Sequence, residues 1–81
     1  MKKQELIAKI NKVLADEFEV EQEIITPEAN IKQTLQLDSL SLVDMVALIE
    51  ETFEFKMAGA EIANVQTFNS LYDFVHERLS Q

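Results

Sequence analysis

Three stretches of this 81-residue chain repeat apolar residues at separations of three and four, and no constraint on its fold is stronger than that period. In the first stretch, Leu6, Ile7, Ile10, Val13, Leu14 and Phe18 share one face, which predicts a helix over about residues 3 to 18. The second begins at Ser39. There Leu40, Val43, Val46, Ala47 and Phe53 flank a central Leu48-Ile49, with no glycine or proline before Gly59, which predicts a helix over about 39 to 53. Leu42, Met45 and Leu48 widen its apolar surface beyond one stripe, implying contacts with several neighbours and a central place in the fold. In the third stretch, Thr67 offers a cap for a helix carrying Phe68, Leu71, Tyr72, Val75 and Leu79. A short helix is also expected within Gly59 to Asn64. The expected fold class is all-α: a small bundle of three main helices plus one short helix, with residues 1–81 forming a single domain.

Glu19 to Leu37 lacks a helical period and reads as a long loop between the first two main helices. Thr26-Pro27 has the chemistry of a cap followed by a first-turn proline, so a short turn is expected there. Ile24, Ile25, Ile31, Leu35 and Leu37 give the loop enough apolar surface to pack across the helices. Connections of this length are uncommon in compact domains and often carry function.

Composition removes several classes of chemistry. Without cysteine there is no disulfide framework, thiolate metal site or cysteine nucleophile, and the single histidine, His76, has no second imidazole with which to share zinc. Fifteen acids against seven bases give a net charge of −8, which opposes phosphate backbones and anionic lipid, so nucleic acid is not an expected partner. No apolar run approaches the roughly 20 residues needed to span a bilayer. Lys9, Asn11 and Lys12 interrupt the apolar residues near the start, so neither a signal peptide nor a membrane span is expected, and the chain reads as a cytoplasmic monomer. The charge is unevenly spread. Residues 38 to 61 hold six acids (Asp38, Asp44, Glu50, Glu51, Glu54 and Glu61) against Lys56 alone, whereas residues 1 to 37 hold seven acids and five bases. On charge alone this zone is equally a recognition surface or a solvated face.

The most informative local pattern is Asp38-Ser39-Leu40, because of where it stands. A serine ending a long loop and starting the central helix is expected to expose its hydroxyl. A phosphate placed on it would meet unpaired backbone N–H groups and the positive end of the helix dipole. Capping is the competing role: Asp38 or Ser39 would cap the helix, or Ser41 and Asp44 would form an S-x-x-D capping box. The two roles are compatible, since Asp38 can cap while Ser39 is modified.

Leu37-Asp38-Ser39-Leu40, followed by Val43, Val46, Ile49, Glu50-Glu51 and Phe53, resembles the Asp-Ser-Leu motif and following helix of acyl carrier proteins. The likeness covers nearly the whole chain. It takes in the amphipathic first helix, the long loop, Val65-Gln66-Thr67-Phe68 and a last helix containing Leu71-Tyr72-Asp73. The resemblance implies that Ser39 receives phosphopantetheine from coenzyme A, that acyl cargo is held as a thioester on the arm's thiol, and that the chain itself is not an enzyme. It places Asp38 beside the arm and makes Leu40, Asp44, Glu50 and Glu51 the surface read by partners. Those partners are a phosphopantetheinyl transferase and the acyltransferases, ketosynthases and reductases of fatty-acid or polyketide synthesis, with basic docking patches. The family also shelters acyl chains inside the bundle, at positions matching Val46, Ile49, Met57, Ile62 and Val65. Three features depart from the usual pattern: Gln36 where glycine is frequent, Ser41 where an acid is common, and Ala58-Gly59-Ala60 in place of a more acidic stretch.

Two other readings stay open at this stage. One is a carrier of amino-acyl groups (D-alanyl or peptidyl), the other an unmodified helical adaptor in which Ser39 only caps. A hydrolase is not expected, because His76 is the sole candidate base for Ser39 and nothing in the spacing positions a triad or an oxyanion hole.

Overall fold

The computed structural model describes residues 2–57 and 65–79, apart from the Ser39 side chain. Helix α1 covers Lys3–Phe18 as expected and buries Leu6, Ile10, Leu14 and Ala15 on one face. It stops where Glu19 turns left-handed at φ 54°, its N–H bonded to the Ala15 carbonyl. The connection that follows is more regular than the sequence indicates. It holds a 3-10 turn at Gln22–Ile24, a turn closed by the Ala29 N–H on the Thr26 carbonyl at 3.1 Å, and a short helix α2 over Ile31–Leu35. Thr26-Pro27 therefore begins one turn. Helix α2 escapes a periodicity reading because five residues show the period barely once; its signal is Asn30, whose side chain accepts the Gln33 N–H at 3.0 Å.

Helix α3 spans Ser39–Phe53 and helix α4 spans Phe68–Leu79. The start of α4 is fastened from both directions. Thr67 Oγ1 accepts the Ser70 N–H at 3.2 Å, while the N–H groups of Phe68 and Asn69 donate to the Ala29 and Pro27 carbonyls at 3.2 and 3.0 Å. The Ile31 N–H donates in return to the Gln66 carbonyl at 2.9 Å. First-turn amides that a helix cannot satisfy internally are thus met by the connection, which fixes the connection across the bundle.

Helices α1, α2 and α3 each stop at a left-handed residue, and none of these residues is glycine: Glu19, Gln36 and Glu54 have φ of 54°, 54° and 56°. Glycine is the usual occupant of such positions because it has no Cβ to crowd the carbonyl.

The core joins the four helices and the connection. Leu6, Ile10 and Leu14 of α1 meet Ile25, Ile31 and Leu35 of the connection, Met45, Ile49 and Phe53 of α3, and Phe68, Leu71, Tyr72 and Val75 of α4. Helices α1 and α4 are tied further by the Tyr72 hydroxyl donating to Asn11 and by the Lys3–Asp73 ion pair. Burial pushes the Tyr72 phenol above its usual range, and the Asn11 bond opposes that shift in part. The Lys9 ammonium lies 5.4 Å from the Phe53 ring centre and links α1 to α3. Among the described residues no buried side-chain polar atom lacks a partner, and none forms a strand beyond the isolated Asn30–Thr67 bridge. None of the described helices is long and apolar enough to cross a membrane. The short helix expected within Gly59 to Asn64 lies outside the described residues.

Candidate functional site

The site is built where α2 hands over to α3. The N–H groups of Gln36 and Leu37 both bond to the Lys32 carbonyl, the latter at 2.9 Å, so α2 closes tightly and Leu37 packs on the core. Asp38 follows in an extended conformation and is the cap of α3: its Oδ1 accepts the Ser41 N–H at 2.8 Å, and its carbonyl accepts the Leu42 N–H at 3.0 Å. That settles the capping alternatives. Ser41 lies inside the first turn, so Ser41 and Asp44 do not start the helix. The hydrogen bond from the Ser41 backbone is the main reason the Asp38 carboxyl lies below its ordinary range, and the Ser41 side chain adds to it. Ser39 and Leu40 occupy the first two positions of α3, where the backbone N–H has no carbonyl one turn back. The exposure expected for the Ser39 hydroxyl falls on a side chain outside the described atoms.

Beyond this point α3 has two unlike faces. Met45, Ile49 and Phe53 are buried, whereas Leu40 is 78% and Val43 64% exposed. Ala47, Asp44, Glu51 and Glu54 are exposed as well. The several contacts expected from the wide apolar surface are made by Leu42, Val46 and Leu48 as well as by the buried face, and Leu40 and Val43 stand outside them. Asp38, Leu40, Asp44 and Glu51, each expected to serve the site, share one accessible helix. Glu50 is different: it is half-buried, and its Oε2 accepts the Met57 N–H at 2.7 Å. Its carbonyl also accepts the N–H of Glu54 and, at 3.2 Å, that of Phe55, so Glu50 organises the turn after α3. From α4, Arg78 donates to the Lys56 carbonyl at 2.9 Å and lies 5.2 Å from the Phe74 ring centre.

Against this turn lies an open groove of about 530 Å³ lined by Ala47, Glu50, Glu51, Glu54, Phe55 and Lys56. Neither the groove nor the exposure of Val43 was read from the sequence. A helical wheel holds the signal for Val43, since positions 40, 43 and 47 fall on one stripe and 45, 49 and 53 on another. The groove has no such signal, because it depends on how the turn folds back. Of the residues expected to shelter an acyl chain, Ile49 and Met57 are buried, Val46 and Val65 are half-buried and packed on the core, and Ile62 lies outside the described residues. No group of three or more potential metal ligands occurs among the described residues.

Residues 8–75 match the family described as a phosphopantetheine attachment site. The chain is 32% identical over 77 residues to an acyl carrier protein of Rubrobacter xylanophilus, covering 95% of each. It is 34% identical over 67 residues to one of Syntrophobacter fumaroxidans, covering 83% of each. Its fold superposes on a thermostable acyl carrier protein from Enterococcus faecalis with a TM-score of 0.76 and 25% identity, over 93% of this chain and 95% of the other. With a helical bundle, a match across most of its length and relatives of one kind, the chain belongs to the acyl carrier protein family, carriers rather than catalysts, which hold acyl groups on a covalently bound phosphopantetheine.

Proposed function

We propose that Ser39 is the residue that takes the arm from coenzyme A, and that the outer face of α3 is what partner enzymes read. The observation that carries this is the position of Asp38-Ser39-Leu40 at the head of α3, inside the matched span. The residues present fit a phosphodiester there. First-turn N–H groups of Ser39 and Leu40 and the positive end of a 15-residue helix favour an anion, and the Asp38 carboxylate is turned to the Ser41 N–H. When bound, phosphopantetheine supplies the thiol that this cysteine-free chain lacks.

The chain's own residues place and present that group. Asp38 holds the first turn of α3 in shape, and the core face of α3 anchors the helix to the bundle. Leu40 and Val43 offer apolar contact beside the attachment point, while Asp44, Glu51 and Glu54 offer negative charge further along. A phosphopantetheinyl transferase must bring its reacting centre to residue 39 and so must cover Leu40. Basic patches on acyltransferases, ketosynthases or reductases of fatty-acid or polyketide synthesis would meet the acids, giving the fast and brief encounters that a shuttle in the cytoplasm requires. The whole chain acts as one carrier domain.

Incubation with coenzyme A and a broad-specificity transferase, followed by intact-mass measurement, tests the assignment. The wild-type chain is expected to gain one arm and Ser39→Ala none. An arm gained by the Ser39→Ala chain would place the attachment elsewhere.

A further inference from the structure

The exposed stripe of α3 does not end at Leu40 and Val43. Positions 40, 43, 47, 51 and 54 follow one another at separations of three and four, so they form one track along the helix. The track is apolar at its head, with Leu40, Val43 and Ala47, and opens at its foot into the groove of Ala47, Glu50, Glu51, Glu54, Phe55 and Lys56.

Its length and chemistry suit a particular occupant. From position 39 to position 50 the helix rises roughly 16 Å at about 1.5 Å per residue. The phosphopantetheine chain from the serine oxygen to the sulfur has about fourteen bonds, and extended as a polypeptide is, it spans roughly 16 Å. The arm carries a gem-dimethyl group near its phosphate, two amides further out and a thiol at its end. Laid along the rise, the gem-dimethyl group meets the methyl-bearing side chains of Leu40 and Val43, and the outer end of the arm reaches the groove. There Ala47 and Phe55 give apolar surface to the thiol end, and the carboxylates and the Lys56 ammonium can accept from and donate to the outer amide. Glu50 is already held by the Met57 N–H, so the foot of the track is ordered before anything binds.

Resting on the assignment of Ser39, we propose that the idle arm lies along the outer face of α3, its gem-dimethyl group against Leu40 and Val43 and its thiol end in the groove beside Ala47 and Phe55. The chain's own cofactor then covers the apolar stripe between encounters, and a partner enzyme lifts it away on docking.

The test uses the full-length armed chain, isotope-labelled in the protein and unlabelled in the arm. Intact mass first establishes that one arm is present on the wild-type chain and absent from Ser39→Ala, which judges the attachment separately. Nuclear Overhauser contacts are then expected from the gem-dimethyl protons to the Val43 methyls, and from the methylenes next to sulfur to the Ala47 methyl and the Phe55 ring. Ala47→Glu, an exposed substitution, should accept the arm yet lose the contacts to Phe55. Arm contacts confined to residues 38–41 in a fully armed chain would overturn the proposal, as would contacts to Ile49 and Met57 in place of Ala47 and Phe55.

Discussion

Helix α3 carries apolar residues at helical spacing on both of its faces, yet the two faces have opposite fates. On the inner face, Met45 and Ile49 are fully buried against residues of α1 and α4. On the outer face, Leu40 and Val43 remain in solvent beside Ser39, the proposed attachment residue. The fold itself gains nothing from exposing two large apolar side chains one turn apart. The difference teaches that the two faces of one helix can do different work: the inner face secures the fold, and on the proposed function the outer face is kept for what must approach Ser39.

If that division is right, substitutions on the two sides should differ in kind. The largest effect belongs to the inner side. Ile49→Ala truncates a fully buried side chain on that face and should cost about 2–5 kcal/mol, read as a lower midpoint in urea with an unchanged slope. A smaller loss would break the comparison by showing a core that relaxes easily.

Glu50 and Glu51 sharpen it, because they are neighbours in the sequence with different surroundings. Glu50→Ala takes away the acceptor of the Met57 N–H and should cost about 1–2 kcal/mol. Glu51→Ala, at an exposed position, should stay within about 0.5 kcal/mol in the same denaturation experiment. Equal losses would return Glu50 to the outer face.

Gln36→Gly addresses the approach to the site. Residue 36 is left-handed at φ 54°, so glycine should raise stability by about 0.5–1 kcal/mol, seen as a higher melting temperature. A smaller effect comes from pH. The Asp38 carboxyl lies below its ordinary value of 3.8 in the folded chain, so its contribution is present above that value and is lost as pH falls through the lowered native one. Asp38→Asn keeps a capping oxygen and should melt with a shallower dependence on pH below about 4 than the wild type.

The inner face was legible in the sequence to a high degree, for a physical reason. The periods of residues 3 to 18 and 39 to 53 run over four turns, long enough for a stripe to declare itself, and both helices form with those bounds. Thr67 as a cap and Asp38-Ser39 at the head of α3 were legible because caps need particular side chains. Helix α2 was not, since its five residues show the period barely once and its first N–H is met by the distant Gln66 carbonyl. The exposure of Val43 had its sign in the helical wheel, on the stripe opposite 45, 49 and 53, whereas the groove at Phe55 had none because it depends on how the turn folds back. The family likeness is what singles out Ser39 as the proposed attachment residue, and the fold places it at the head of α3, beside the exposed Leu40 and Val43.

The most direct measurement of this division compares stability and arming in one double variant, Leu40→Ser/Val43→Ser. Both side chains are mostly exposed, so the melting temperature should hardly move. Loss of the apolar contact that the transferase would bury should lower kcat/KM for arming by about ten- to a hundredfold. A variant that melts much earlier yet is armed at the wild-type rate would contradict the account, because the outer face would then serve the fold and not the approach to Ser39.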